Sequence, residues 1–205
     1  MAQLPHPHRT IPRLSLTRVF VASVTGCLLF GLASFSLAAP PCDTQNLLKT
    51  ATVSGENLRG DSKRVVDGIL ANEGTNWLAE PALILNREGA VVRLDLGEIQ
   101  QLRYLLIQAD ANDVYLLEAS EEGKQYSKLW KIPLVKSHHG LRTRFLELKK
   151  PTRARYLRIK AISGDGAYSI SELSAYCHRP SPWPPPKVKQ AYPSYSTKGG
   201  GRKIL

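Results

Sequence analysis

Cys42 and Cys177 stand 135 residues apart, and no other cysteine lies between or after them. Everything before Cys42 reads as an export signal, so both thiols meet an oxidising compartment, where a bridge closing so long a loop contributes about 5 kcal/mol in the chain-entropy model. The sequence describes an exported module with a disulfide, Cys42 to Cys177, joining its two ends.

Residues 1–18 contain Arg9, Arg13 and Arg18 with no acidic side chain, and 19–39 is an apolar run ending in Ser36-Leu37-Ala38. That is the layout of a signal peptide cleaved after Ala38, spanning 1–38. The run is also long enough to cross a bilayer uncut, which would leave it as an anchor. Val24-Thr25-Gly26-Cys27 has the look of a lipidation box, but the apolar run continues well beyond it, so Cys27 reads as a small hydrophobe. The destination is a secreted, periplasmic or cell-envelope location.

Charge is unevenly placed. Of the formal +11, the signal holds three arginines, and Arg179, Lys187, Lys189, Lys198, Arg202 and Lys203 stand in 178–205 with no acid among them, leaving +2 for the rest. That Pro-rich, then Gly-rich tail cannot bury enough apolar surface to offset its ordering. It reads as a flexible basic segment available to an anionic envelope surface, with Trp183 free to cap the domain from outside. No specific nucleic-acid recognition is expected, and membrane contact is expected only through this tail or an uncleaved N-terminal segment.

Between the cysteines the apolar period is two. Val92, Leu94 and Leu96 alternate with Arg93 and Asp95, and further strands follow at 104–108, 114–119, 145–148, 155–159 and 169–176. Glu122-Gly123, Lys150-Pro151 and Gly164-Asp165-Gly166 mark turns between them. With no helical stripe outside the signal, the economical fold is an all-β sandwich over 42–177. Arg155 and Arg158 are expected to meet water or rim acids. Trp77 and Trp130 read as packing anchors.

The landmarks have an order: Val66-Asp67-Gly68, Thr75-Asn76-Trp77, Leu94-Asp95-Leu96-Gly97, Ser120-Glu121-Glu122-Gly123, Ala154-Arg155-Tyr156-Leu157-Arg158 and Ser171-Glu172-Leu173, closed by Cys177. This resembles the discoidin, or coagulation factor 5/8 type C, family of galactose-binding-like domains, in a bacterial exported form. The resemblance implies a jelly-roll β-sandwich that binds ligand through loops at one end. It also implies a structural calcium held by Asp67, Thr75 and Glu172, with Asn72 nearby. The six residues between Gly68 and Thr75 are more than the family's pattern has, so that loop closes differently.

Polar side chains gather in three further stretches. Asp110, Asn112, Asp113, Arg142, Arg144 and Asp165 supply hydrogen bonds of the kind sugar hydroxyls take, and Tyr115 or Tyr168 supplies a ring for stacking. The same residues could instead form a mutually satisfied ionic network, or Asp110, Asn112 and Asp113 a second metal site. His138-His139 has no third ligand at metal spacing and reads as a solvated loop. No nucleophile elbow or phosphate-binding glycine loop is present. The functional expectation is a non-catalytic module recognising carbohydrate or a glycoconjugate; the alternative is a scaffolding subunit that binds an envelope protein.

Overall fold

A computed structural model describes residues 44–87 and 89–184. The signal, Cys27, Cys42 and the tail beyond residue 184 lie outside the described residues. Eight strands and one short 3-10 helix follow in order: β1 (Thr52–Glu56), β2 (Leu58–Arg59), the helix (Ser62–Val66), β3 (Leu83–Leu85), β4 (Val91–Asp110), β5 (Val114–Ser120), β6 (Ser127–Ile132), β7 (Leu141–Ser163) and β8 (Tyr168–Tyr176).

Two long strands make the sandwich. β4 and β7 run antiparallel along their whole length, from Val91 opposite Lys160 to Asp110 opposite Leu141. The first half of β4 pairs with β1 and the second half of β7 with β5, so one layer reads β1-β4-β7-β5-β6. Their other halves join β8, β3 and β2 in a second layer. The register slips between Asp95 and Gln100, where Gly97 takes φ 82°, and again between Leu102 and Tyr104. Such bulges bend a strand from one layer into the next.

Period-two patterning decides which face is buried. Val92, Leu94, Leu96, Leu157 and Ile159 join Leu105, Ile107, Ile170 and Leu173 from the other layer in one core, and Trp130 is part of it. On the outer face, Arg155 grips Asp95 through Nε and Nη2 at 2.8 and 3.0 Å, and Arg158 Nε bonds Glu118 at 2.6 Å. The half-exposed Arg155–Asp95 pair contributes little stability, whereas Glu118 is buried and also meets Lys160 Nζ at 3.2 Å.

Segments from before β1 and after β8 both pack on the second layer near the C-terminal end of β8. Leu47 N–H bonds the Ala175 carbonyl at 2.8 Å, and Asn46 Oδ1 accepts the Ala175 N–H at 3.1 Å, laying the N-terminal segment along β8. Next to it Trp183 packs edge-on against Tyr104, Phe145 and Tyr176, with centroids 5.5 to 6.0 Å apart. The first residues of the Pro-rich segment thus cap the domain.

Candidate ligand cleft at the loop end

β4 ends, β5 begins, β7 begins and β7 hands over to β8 at one pole of the sandwich. The connections there are 111–113, 133–140 and 164–167, joined by the long 67–82 segment. Together they enclose a cleft of about 370 Å³ lined by Asn76, Trp77, Asp110, Asn112, His139 and Asp165, with Gly74 and Gly140 between them.

Backbone contacts hold the walls. The Gly74 N–H bonds the Leu141 carbonyl at 2.8 Å, and the Leu141 N–H returns to the Thr75 carbonyl at 2.8 Å. Only glycine fits at 140, where φ is 69° and a Cβ would overlap the Thr75 carbonyl oxygen. The buried Gln108 amide clamps Ala71, its Oε1 accepting the Ala71 N–H at 2.7 Å and its Nε2 donating to the carbonyl at 2.8 Å. Glu73 accepts from the Thr143 N–H and hydroxyl at 3.0 and 2.6 Å. Trp77 packs its partly buried side on Ala71, Ala82, Ile84 and Leu141.

Beneath the cleft lies a buried polar floor. Arg144 is 7% exposed and donates to the Asp110 carbonyl through both Nη atoms at 3.1 Å and to the Pro133 carbonyl at 3.3 Å, with its guanidinium 5.7 Å from the Tyr115 ring centroid. Asp113 is fully buried and accepts from the Tyr115 hydroxyl at 3.1 Å. Burial, with the Asp110 carboxylate adding to it, pushes Asp113 up to about 7. The folded state therefore holds this proton more tightly than the unfolded chain, and this group's contribution to stability falls as pH rises from the usual carboxylate range toward 7. Gly164 approaches Asp113 so closely that a Cβ there would overlap Oδ1.

The expected site residues divide by depth. Asn112 and Asp165 reach the cleft, joined by an Asn112 Nδ2 to Asp165 Oδ2 bond of 2.6 Å, and Asp110 lines it from below. Arg142 turns to Glu73 at 3.7 Å, its guanidinium behind Gly74. Tyr115 and Tyr168 are buried, which corrects the stacking role read from the sequence: the hydroxyl of Tyr115 is spent on Asp113 and on Ser169, whose carbonyl accepts it at 2.9 Å. The ring at the cleft is that of Trp77. His139 and Asn76 also line the cleft, which the sequence reading does not anticipate; the signal for them is their position beside Gly140 and Trp77, in loops that need a close backbone approach.

The four residues expected to hold calcium fall into two pairs. Glu172, 1% exposed, accepts from the Gly68 N–H at 3.0 Å, from the Ser174 hydroxyl and from Asn46 Nδ2 at 3.5 Å. Burial holds its carboxyl well above the usual range, and Asp67 adds to the rise. Asn72 and Thr75 instead close their own turn, Thr75 N–H to Asn72 O at 3.0 Å. Asp67 and Glu172 have the hard oxygen donors calcium takes. The Thr75 carbonyl accepts the Leu141 N–H at 2.8 Å. No group of three His, Cys, Asp or Glu side chains suited to a metal occurs among the described residues.

No protein-family model and no curated relative matches the chain in sequence. Solved structures do match in shape. The lectin domain of lectinolysin, complexed with Lewis B antigen, aligns with TM-score 0.54 at 15% identity over 66% of this chain and 99% of that one. The fucose-binding module SpX-3 of Streptococcus pneumoniae aligns at 0.53 and 16% identity over 66% and 99%. CpGH89CBM32-5 of Clostridium perfringens, solved with GalNAc-β-1,3-galactose, aligns at 0.50 and 18% identity over 64% and 99%. The chain has the galactose-binding-like jelly-roll fold. At this identity the likeness fixes the galactose-binding-like architecture and leaves the ligand to the residues of the cleft.

Proposed function

We propose that the chain is a non-catalytic exported module that binds carbohydrate in the loop-end cleft. The observation that carries this is the placement of the Trp77 indole beside the polar groups of Asn76, Asn112, His139 and Asp165. Sugars present one apolar ring face and a rim of hydroxyls, and a ring with flanking amides and carboxylates matches both. Structural neighbours of the same fold are described as carbohydrate-binding modules, which supports the reading. A glycan array of the exported protein should retain one sugar class. His139→Ala, at an exposed side chain, should weaken that binding about tenfold while shifting stability by less than about 0.5 kcal/mol. Unchanged binding in this variant and in Trp77→Ala would move recognition away from the cleft.

The second reading, a scaffolding subunit, draws on Phe145, which stays 53% exposed beside Trp183 and offers an apolar contact for an envelope protein. A blank array together with a protein partner that is lost in Phe145→Ser would favour it.

Calcium belongs to the proposal in a narrower form, at Asp67 and Glu172. Without a cation, Glu172 binds its proton more tightly folded than unfolded, so its contribution to stability declines as pH rises above the usual carboxylate range. An ion on the same carboxylate removes that penalty. Millimolar calcium should therefore raise the thermal midpoint, more at pH 8 than at pH 5, and Glu172→Gln should abolish the increase. Equal midpoints in chelator and in calcium at both pH values would show Glu172 to be a protonated structural acid.

A further inference from the structure

The cations expected in this cleft do not face it. Arg142 is turned to Glu73, and Arg144 is committed to two backbone carbonyls and the Tyr115 ring. The formal charges left for a ligand to meet are carboxylates. Asp110 is 2% exposed and lines the cleft; one oxygen accepts the Ala111 N–H at 2.7 Å, and the other accepts no hydrogen bond from the described residues. Asp165 is held in place, with Oδ1 accepting the Ala167 N–H at 3.0 Å and Oδ2 the Asn112 amide at 2.6 Å, yet its side chain is exposed and has lone pairs to spare.

Building on the carbohydrate reading, we infer that the cleft selects a sugar with a free amino group, an ammonium-bearing hexosamine, and rejects carboxylated or sulfated sugars. A half-desolvated carboxylate gains most from a charged donor, because charge-assisted hydrogen bonds are roughly twice as strong as neutral ones. An ammonium brings three donors to Asp110 and Asp165, and the Trp77 face also attracts a cation. An acidic sugar meets two like charges instead. The other titratable or charged groups facing Asp110 are Arg144, the buried Asp113 and the His139 imidazole, which lines the cleft and can meet a ligand as a hydrogen-bonding ring. Arg144 is turned to carbonyls and Asp113 lies below the floor, so neither reaches a ligand. Burial holds the Asp110 carboxyl above its ordinary value, and a bound ammonium would lower it again, so binding releases protons and weakens as pH falls.

Calorimetry on the exported protein separates the possibilities. The probes are a glucosamine oligomer, its N-acetylated counterpart and a galacturonate oligomer, all at pH 7 and moderate salt. The amine form should bind at least about tenfold tighter than the N-acetylated form, and the uronate should not bind. Asp165→Asn keeps the shape, with its oxygen still accepting the Ala167 N–H and its new Nδ2 donating to a turned Asn112 amide oxygen, and should erase most of that preference. Glu122→Gln at the opposite end of β5 should leave it intact, which excludes general attraction of a polycation. Equal affinity for the amine and N-acetyl forms, or a preference that survives Asp165→Asn, overturns the amino-sugar inference and leaves the carbohydrate reading standing. No binding of any sugar class to a folded protein overturns both.

Discussion

Replacing Arg144 by alanine is expected to lower the unfolding free energy by about 2 to 4 kcal/mol, through unsatisfied carbonyl acceptors and lost packing on the Tyr115 ring. The guanidinium serves the Asp110 carbonyl twice and the Pro133 carbonyl once from a site 7% exposed. Deleting it leaves the buried Asp110 carbonyl without its two side-chain donors, at a cost of about 1 to 3 kcal/mol, and frees the part-buried Pro133 carbonyl, which water can reach. It also strips a positive charge from beside Asp110 and Asp113, whose burial already favours their protonated forms. Asp165→Ala is the contrast. That side chain is exposed, and the substitution should change stability by less than about 1 kcal/mol while removing ligand binding. Urea unfolding of the two variants beside the parent checks the pair. Equal midpoints for Arg144→Ala and the parent would show that water replaces the guanidinium on those carbonyls.

That contrast also marks how far the sequence could be read. The six strands read from the sequence lie within β4, β5, β7 and β8: alternation marks 91–96, where one face meets the core, and a continuous apolar run marks 104–108, buried on both faces. β1, β2, β3 and β6 carried too little signal: β2 has two residues and β3 has three, buried throughout, so no alternation exists to find. The continuity of β4 from Val91 to Asp110 was hidden by Gly97, which reads as a turn residue and in the fold bends the strand.

At the cleft, residue type was legible and depth was not. Asp110, Asp113 and Arg144 have the chemistry of a sugar site, but the loops at the end of a sandwich leave carbonyls without partners in the sheet, and Arg144 is drawn inward to satisfy them. Asn112, in the 111–113 turn, and Asp165, between Gly164 and Gly166, stayed in solvent contact. His139 carried no motif. Its place in the cleft depends on Gly140 folding against Gly74 and Thr75, a contact 65 or more residues distant in sequence.

Cys42→Ser should lower stability by about 5 kcal/mol if the proposed bridge to Cys177 closes the domain, the value for a loop of this length in the chain-entropy model. The described residues favour the reach. Cys177 directly follows β8 and is 7% exposed, and Leu47 is bonded to Ala175 on the same strand. Four residues lie between Cys42 and Leu47, so the five steps of chain reach up to about 17 Å when extended, ample for the roughly 5.5 to 6 Å Cα separation of a disulfide. The Asn46 contacts to Ser174 and Ala175 then fix the direction of approach. Mass analysis of the exported protein without reductant should find no alkylatable thiol after signal cleavage. Reduction should lower the urea midpoint of the parent and leave that of Cys42→Ser unchanged, because a second loss would require a different bridge. Two alkylatable cysteines in the folded, exported parent would remove the staple from the account and leave its ends held by the β8 contacts and Trp183 alone.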